Sequence, residues 1–380
     1  MKSAEKSAER STEKRAICIV NPFEHGGGAE YQISLLIDAL AASGSYEVHY
    51  LAHVLDQRTR TRNYRAVKIG SGDSMPRMGY AMDGRSLYAA LSEIGPVAIY
   101  QRVACAYTGI CAAYSRRHSV PLTWHAAHDS EVSGQVLDPA RNVLRIWLER
   151  RAAEHGIRHA TRIVVQTRYQ AQLLQEKFGR AADAVIGNFH PPAAEAVDKR
   201  GPVTVVWIAN LKPWKRPEAF VRLANELRGC RDVRFVMIGA PAATAGNERW
   251  QSALMQGIEA TENLRYLGHL SHEEVNELLA RSHVFVNTST QEGFPNTFIQ
   301  SWLRDVAVVS LQVDPDGVLS RERVGIAAGT QEELIAAVRR LIEDPTQRAA
   351  LAARGRQHAI AHHSLRNAGE LMRIIDSSRD

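Results

Sequence analysis

Two loops of this 380-residue chain carry residue types suited to anions and hydroxyl groups. The first reads Asn21-Pro22-Phe23-Glu24-His25-Gly26-Gly27-Gly28-Ala29-Glu30. Glycines at the start of a helix let the backbone approach a phosphate, and the helix start offers free N–H groups with partial positive charge. The spacing is not GxGxxG, and no acid follows the next strand where a ribose would need one, so a dinucleotide reading is weak. A plain turn fits the same glycines. The second loop reads Thr288-Ser289-Thr290-Gln291-Glu292-Gly293-Phe294-Pro295-Asn296-Thr297-Phe298-Ile299-Gln300. Thr297 and Gln300 fit the S/T-x-x-E/Q capping box, which predicts a helix directly behind Glu292. A carboxylate beside exposed amides suits holding hydroxyls while the amides hold phosphate. Gln300 also fits a bare capping role, whereas Glu292 in a Gly-Phe-Pro turn has no evident packing role.

Three further features have blander readings that compete with chemistry. Asp314-Pro315-Asp316 spells a D-x-D metal signature, but the proline and Gly317 favour a turn. His125, His128 and Asp129 are metal-ligand types, yet they follow a strand instead of sharing a helix face, and no metal is expected. Residues 142–151, with Arg141 just before them, place Val143, Leu144, Trp147 and Leu148 on one face and Arg141, Arg145 and Arg150 on others. A core-packed surface helix is preferred there over a membrane-binding one.

These loops need a scaffold, and the pattern supplies one. Strands are expected at Ala16–Asn21, Tyr46–Ala52, Val97–Gln101, Pro121–His125 and Arg162–Gln166, with helices between them that include Tyr31–Ala42 and Gln170–Phe178. A Pro-rich break, Gly187-Asn188-Phe189-His190-Pro191-Pro192, precedes a second alternation. Its strands are Val203–Ala209, Arg234–Ile238, Asn263–Leu267, Val284–Asn287 and Val306–Leu311. Its helices are Pro217–Leu227, Asn247–Ile258, His272–Ala280, one from about Thr297, and others near Glu332–Leu341 and Leu365–Ile375. The class is α/β, with two doubly wound, Rossmann-like domains and a ligand cleft between the carboxyl ends of their strands. The expected division is a mobile tail at 1–15, a first domain at 16–190, a linker at 191–201, a second domain at 202–363, and a C-terminal helix in 364–380 that packs back on the first domain. The segment Ile69–Asp83 is long enough to be a functional loop.

Composition excludes other classes. Hydrophobic residues make up 45% of the chain and charged ones 23%, which rules out a disordered chain. No apolar run is long enough to span a bilayer. Cys18, Cys105, Cys111 and Cys230 lack CxxC spacing and read as buried thiols in a reducing compartment. The first fifteen residues carry acids and no apolar core, so a secretory leader is not expected, and a cytoplasmic location is. Residues 1–190 hold 24 Lys and Arg against 18 Asp and Glu, while residues 191–380 hold 23 of each. The excess includes Arg58, Arg60, Arg62, Arg65 and Lys68, with no acid between Asp56 and Asp73. Such a run suits an anionic membrane surface or a phosphorylated acceptor. No aromatic residues interleave in the way that stacks bases, so nucleic acid is the weaker partner. An ordinary solvated charge run is the alternative.

The run Glu292-Gly293-Phe294-Pro295-Asn296-Thr297-Phe298-Ile299-Gln300-Ser301-Trp302, then Val308 to Leu311 and Asp314 to Gly317, resembles the retaining GT-B glycosyltransferases of family 4, glycosyl transferases group 1. The Gly27-Gly28-Ala29-Glu30 loop, Val165-Gln166-Thr167 with Gln170 and Leu174, and Trp207 with Trp214-Lys215-Arg216-Pro217-Glu218 fit the same family in order. The resemblance implies a hexosyltransferase with two Rossmann-like domains. It implies a UDP- or GDP-sugar donor, a glycan or lipid-linked acceptor, no required cofactor, and a place in cell-surface polysaccharide assembly, peripheral to the membrane. By the same resemblance Glu292 grips donor-sugar hydroxyls, with the amides of Phe294, Asn296 and Thr297 nearby. Lys215 binds the diphosphate, Gly27 and Gly28 line its phosphate side, and His128 stands near the reacting sugar. Two positions depart from the family pattern. Gln300 replaces the second Glu of E-x7-E, and Asn210 stands where an Arg precedes the Lys, leaving Lys212 or Arg216 to substitute. Base recognition is expected from backbone near Gly239 and Gly268. A weakly active partner in a glycan-assembly complex and a sugar-nucleotide epimerase are the rival functions.

Overall fold

The computed structural model describes residues 14–56, 62–72, 79–134, 143–193, 199–241 and 247–376. They form two compact units. One comprises Met1–Gln166, Gln170–Ile186 and Ala368–Asp380; the other comprises Thr167–Tyr169 and Gly187–Asn367. The chain therefore passes into the second unit at Ile186–Gly187, where the Pro-rich break begins and ahead of the expected linker at 191–201. Lys199, expected in the linker, is already anchored in that unit, where its ammonium donates to the carbonyls of Arg304 and Asp305.

The first unit is built on a parallel seven-stranded sheet of β1 (Arg15–Val20), β2 (Tyr46–Ala52), β3 (Arg65–Lys68), β4 (Ala98–Arg102), β5 (Leu122–His125), β6 (Arg162–Val165) and β7 (Ala184–Val185), in the order β3-β2-β1-β4-β5-β6-β7. The second carries β8 (Val203–Ile208), β9 (Val233–Ile238), β10 (Leu264–Tyr266), β11 (Val284–Asn287), β12 (Ala307–Ser310) and β13 (Ile326–Ala327), in the order β10-β9-β8-β11-β12-β13. Both sheets are covered by helices on two faces, which is why their central strands read as near-continuous apolar runs, such as Ile17–Val20 and Val205–Ile208, instead of alternating. In β11 and β12 all eight residues are buried. Strand order reverses between β1 and β4 and again between β8 and β11, so the loops after those strands open at topological switch points, where such sheets bind ligands.

Several expectations are corrected. Arg15 belongs to β1, where its guanidinium donates to Asp376 at 3.0 Å, so it is no part of a tail. The tail's residues 1–13, along with Arg58, Arg60 and Arg141, lie outside the described residues. Part of the basic run is the edge strand β3, paired in register with β2 from His49↔Arg65 to Ala52↔Lys68. Within Ile69–Asp83, the stretch Tyr80–Asp83 is a 3-10 turn leading into a helix, Gly84–Ile94. The capping box at Thr297 and Gln300 does not form. Pro295, with φ near −63°, is the N-cap, so the helix Asn296–Trp302 starts one residue early and Thr297 lies inside it. A further helix, Pro345–His362, was not foreseen. No described helix is long and apolar enough to cross a membrane.

Candidate active site

In the second unit, the loop after β8 and the loop after β11 meet at the switch point. Trp207, next to last in β8, donates its indole N–H to Thr288 Oγ1 at 2.8 Å. That hydroxyl in turn donates to the Lys215 carbonyl at 2.6 Å. Thr290 N–H donates to the Trp214 carbonyl at 2.9 Å, stitching the loops a second time. The result places Lys215 Nζ in an ion pair with Glu292 Oε1, which also accepts from Ser289 Oγ at 2.7 Å. Both side chains keep some solvent access, 18% for Lys215 and 13% for Glu292. A partly accessible cation fixed beside an oriented carboxylate can bind a phosphate and sugar hydroxyls from one wall. Lys212, the suggested substitute for a missing cation, places its ammonium 4.9 Å from the Trp214 ring centroid. Arg216 instead adopts a left-handed backbone with φ of 48° and starts the helix Pro217–Glu226.

Asn210 lies in the same loop after β8, half-buried, and Leu211 beside it bridges to Pro241. Gly239, at the end of β9, has φ of +154°, and any Cβ there would overlap the Ala209 carbonyl oxygen. Only glycine lets these two loops approach so closely. Gly239 N–H donates to the Gly268 carbonyl at 2.8 Å, bringing both expected base-side glycines together. Behind Glu292, Gly293, Phe294 and Pro295 are buried while Asn296 and Thr297 are half-buried. Gln300 is 4% exposed and its amide donates to Asn276 Oδ1 at 3.1 Å, so its side chain faces the helix His272–Ala280 and caps nothing.

The first unit presents Gly27 and Gly28 after β1. Gly27 is the extended N-cap of the helix Gly28–Ala42, and Gly26 before it has φ of +139°, with open space where a Cβ would be. The loop is fixed by Asn21, which donates to Glu30 Oε1 at 2.9 Å, and by Glu24. Glu24 receives Arg62 through Nε at 2.5 Å and Nη2 at 2.9 Å, the Asp56 N–H, and the Tyr64 hydroxyl. Burial alone would raise its pKa, but Arg62, Tyr64 and the Asp56 amide together hold the carboxyl below its ordinary range. Arg62 is thereby removed from the expected membrane or acceptor face, because a bidentate pair with a buried carboxylate leaves the guanidinium committed. Arg65 pairs with Glu47 at 2.5 Å while remaining mostly exposed, and Lys68 is exposed.

His128 is the N-cap of the short helix Asp129–Ser133. Its Nδ1 accepts from the Ser130 N–H at 3.1 Å, and an amide can only donate, so the neutral ring carries its proton on Nε2. Three residues on, Glu131 accepts from the amides of Ala127 at 2.7 Å, Ala104 at 3.1 Å and His128 at 3.4 Å. It ties the loops after β4 and β5 together around the histidine. Desolvation raises its pKa, and these three amides only partly offset that. The spacing His128-x-x-Glu131 was the signal available for this residue. His125 turns its Nδ1 to the Tyr100 hydroxyl at 2.9 Å, away from a shared ligand set with His128. Asp314 accepts from the Leu319 N–H at 2.7 Å, which makes Asp314-Pro315-Asp316 a turn, and no cluster of three metal-ligating side chains occurs among the described residues.

Residues 202–344, which include Lys215, Glu292 and the other second-unit site residues described above, match a family model. They form a glycosyl transferases group 1 domain. Around this domain the whole chain is similar to solved glycosyltransferase structures. A sucrose-phosphate synthase from Thermosynechococcus elongatus superposes with a TM-score of 0.77 at 17% identity, covering 96% of this chain and 100% of that one. HepE of Anabaena, in complex with UDP and glucose, gives 0.76 at 16% identity, with 96% and 100% covered. WaaG, a glycosyltransferase involved in lipopolysaccharide biosynthesis, gives 0.74 at 14% identity, with 94% and 99% covered. The fold is thus that of the GT-B glycosyltransferases, two Rossmann-like α/β domains, with Lys215 and Glu292 inside the group 1 domain. No curated protein matches the sequence.

Proposed function

We propose that the protein transfers a sugar from a nucleotide-sugar donor to a glycan or lipid-linked acceptor with retention of configuration. The observation that carries this reading is the Lys215–Glu292 pair at the switch point of the group 1 domain. Lys215 faces the donor diphosphate, and Glu292, steadied by Ser289, accepts from the sugar hydroxyls. His128 offers an Nε2–H to an oxygen of the reacting sugar. Gly27 and Gly28 give the backbone room on the phosphate side. As the bond from the anomeric carbon to the diphosphate oxygen breaks, the acceptor oxygen bonds that carbon from the same face. The acceptor proton passes to the departing diphosphate, whose charge Lys215 stabilises. UDP-sugars are the first donors to test, since HepE binds UDP and glucose.

The test is a mass-spectrometric survey of UDP-, GDP- and ADP-hexoses with the purified chain, looking for slow donor hydrolysis, followed by NMR of the anomeric configuration of any transfer product. Turnover of none of them overturns the reading. A binding-only role in a glycan-assembly complex is the second reading, favoured by one observation. Asn210 and Gln300 are neutral, and Gln300 spends its amide on Asn276. An epimerase would interconvert sugars in the same survey without releasing nucleotide.

A further inference from the structure

We infer that Asn188, His190 and His363 are positioning residues for the turn Gly293–Asn296 that follows Glu292, an inference that rests on the transfer reading of that site. Asn188 Nδ2 donates to the Phe294 carbonyl at 2.7 Å. His190 Nε2 meets Asn296 Oδ1 at 3.1 Å, and with an amide oxygen as acceptor the ring nitrogen is the donor. His363 Nδ1 donates to the Asn188 carbonyl at 2.8 Å, while its own carbonyl accepts the His190 N–H at 2.9 Å. Its ring lies 4.4 Å, centroid to centroid, from that of Phe294. The turn is therefore held at three points: the carbonyl of Phe294, the ring of Phe294 and the side chain of Asn296.

Burial makes these contacts hard to replace. Asn188 and His190 are 3% exposed and His363 is 4% exposed, so water does not take over a lost hydrogen bond without rearrangement. Burial also lowers the pKa of His190 to about 4 and that of His363 to about 3, so both rings are neutral near pH 7 and keep the donor pattern described. The holding residues come from the two places where the chain enters and leaves the second unit, at Gly187 and Asn367. Asn367 joins those two passages, its amide donating to the Gly187 carbonyl at 3.0 Å and the His362 carbonyl at 2.9 Å. Segments that look like connectors thus brace the chain behind Glu292, while Lys215 and Ser289 fix the carboxylate in front.

The experiment compares wild type, His190→Ala, His190→Gln and the control His358→Ala as full-length chains. His358 packs on Trp302 from the helix Pro345–His362 and meets the brace only as a ring neighbour of His363, 5.7 Å between centroids, without supplying any of the three holding contacts. Two quantities are read: amide hydrogen exchange of residues 293–298, and kcat and KM with the best UDP-sugar. The expected result is at least fivefold faster exchange and at least tenfold lower kcat for His190→Ala, with KM changed less than threefold. His190→Gln, which keeps a donor, recovers most of both, and His358→Ala resembles wild type. Unchanged exchange, or faster exchange with unchanged kcat, overturns the inference, as does an equal kcat loss in His358→Ala. If His190→Ala does not fold, His363→Phe keeps the ring against Phe294 and removes the donor to Asn188, and the same criteria apply. If wild type turns over no sugar nucleotide, the transfer reading falls, and the exchange comparison alone decides whether His190 holds the turn.

Discussion

Glu292→Ala is expected to lower transfer by at least about two orders of magnitude, roughly 2.7 kcal/mol, because hydroxyl positioning acts at the reacting centre. Circular dichroism and thermal melting should show a folded protein, since Lys215 retains solvent access when its partner is removed. Near wild-type kcat/KM would sink the assignment. Gln300→Glu makes a finer test. The Gln300 amide now donates to Asn276, so a carboxylate there requires the Asn276 side chain to turn over and present its Nδ2. The expected outcome is a lower donor KM, from a stronger acceptor, with a lower melting temperature from burying charge. A higher KM would mean that position 300 serves the helix His272–Ala280 only. Glu292 stood out in the sequence because its charge lies in a Gly-Phe-Pro turn, whereas Lys215 was reached only through the family resemblance. Thr288 and Asn188 did not, because their partners come from the pairing of β8 with β11 and from contacts 106 residues apart, which no local spacing encodes.

The helices Ala106–His118 and Val143–His159 pack through glycines. A Cβ on Gly109 would overlap the Ala152 carbonyl, and one on Gly156 would overlap the backbone at Thr108 and Gly109. Neither obstacle is a flexible side chain, so both helices would have to separate. Gly109→Ala and Gly156→Ala should each destabilise the first unit by about 1–3 kcal/mol, although alanine favours a helix, and urea unfolding measures it. Values near zero would show that the helices can slide apart freely. Elements were read best where apolar period was strong, as in Tyr46–Ala52 and His272–Ala280, whose expected and observed bounds coincide. The helix Pro345–His362 escaped because its inward positions are Leu351, Ala352, Gly355 and Ala359, small residues that raise little hydrophobic signal. Gly355 is needed there because Trp302 occupies the space of its missing side chain. The capping-box expectation failed because a proline sets the helix start by its fixed φ, overriding the threonine two residues later.

Across the whole molecule, the alternation of strands and helices was enough to read two doubly wound sheets, while the passage between units was displaced by several residues because prolines mark stiffness, not contact. Stability should depend on pH in a way tied to the buried histidines. His190 and His363 have folded pKa values of about 4 and about 3, below the unfolded value of about 6.5. Between these values the unfolded chain binds more protons, so their contribution is complete above about pH 6.5 and is lost as pH falls through about 4. Urea midpoints at pH 7 and pH 5 should differ more in wild type than in His190→Gln, and equal differences would remove the histidine explanation. For the basic stripe, flotation at low salt is expected to show binding to anionic and not neutral liposomes, and loss of that binding at high salt. Arg65→Glu with Lys68→Glu should weaken it. Arg62→Glu should instead lower the melting temperature, since it strands a buried carboxylate. Equal binding to both vesicle types, or none, eliminates the membrane role.

Gly239 bears on how a saturation-mutagenesis library would read this chain. Every replacement at position 239 collides with the Ala209 carbonyl, so the position would be depleted among surviving clones in a selection for folded protein alone. Gly268, with φ of +69° and open space where a Cβ would be, should accept asparagine or aspartate in that same selection. Depletion at 239 therefore diagnoses backbone crowding, whereas depletion at 268 that emerges only when survival requires activity would diagnose a ligand against its backbone.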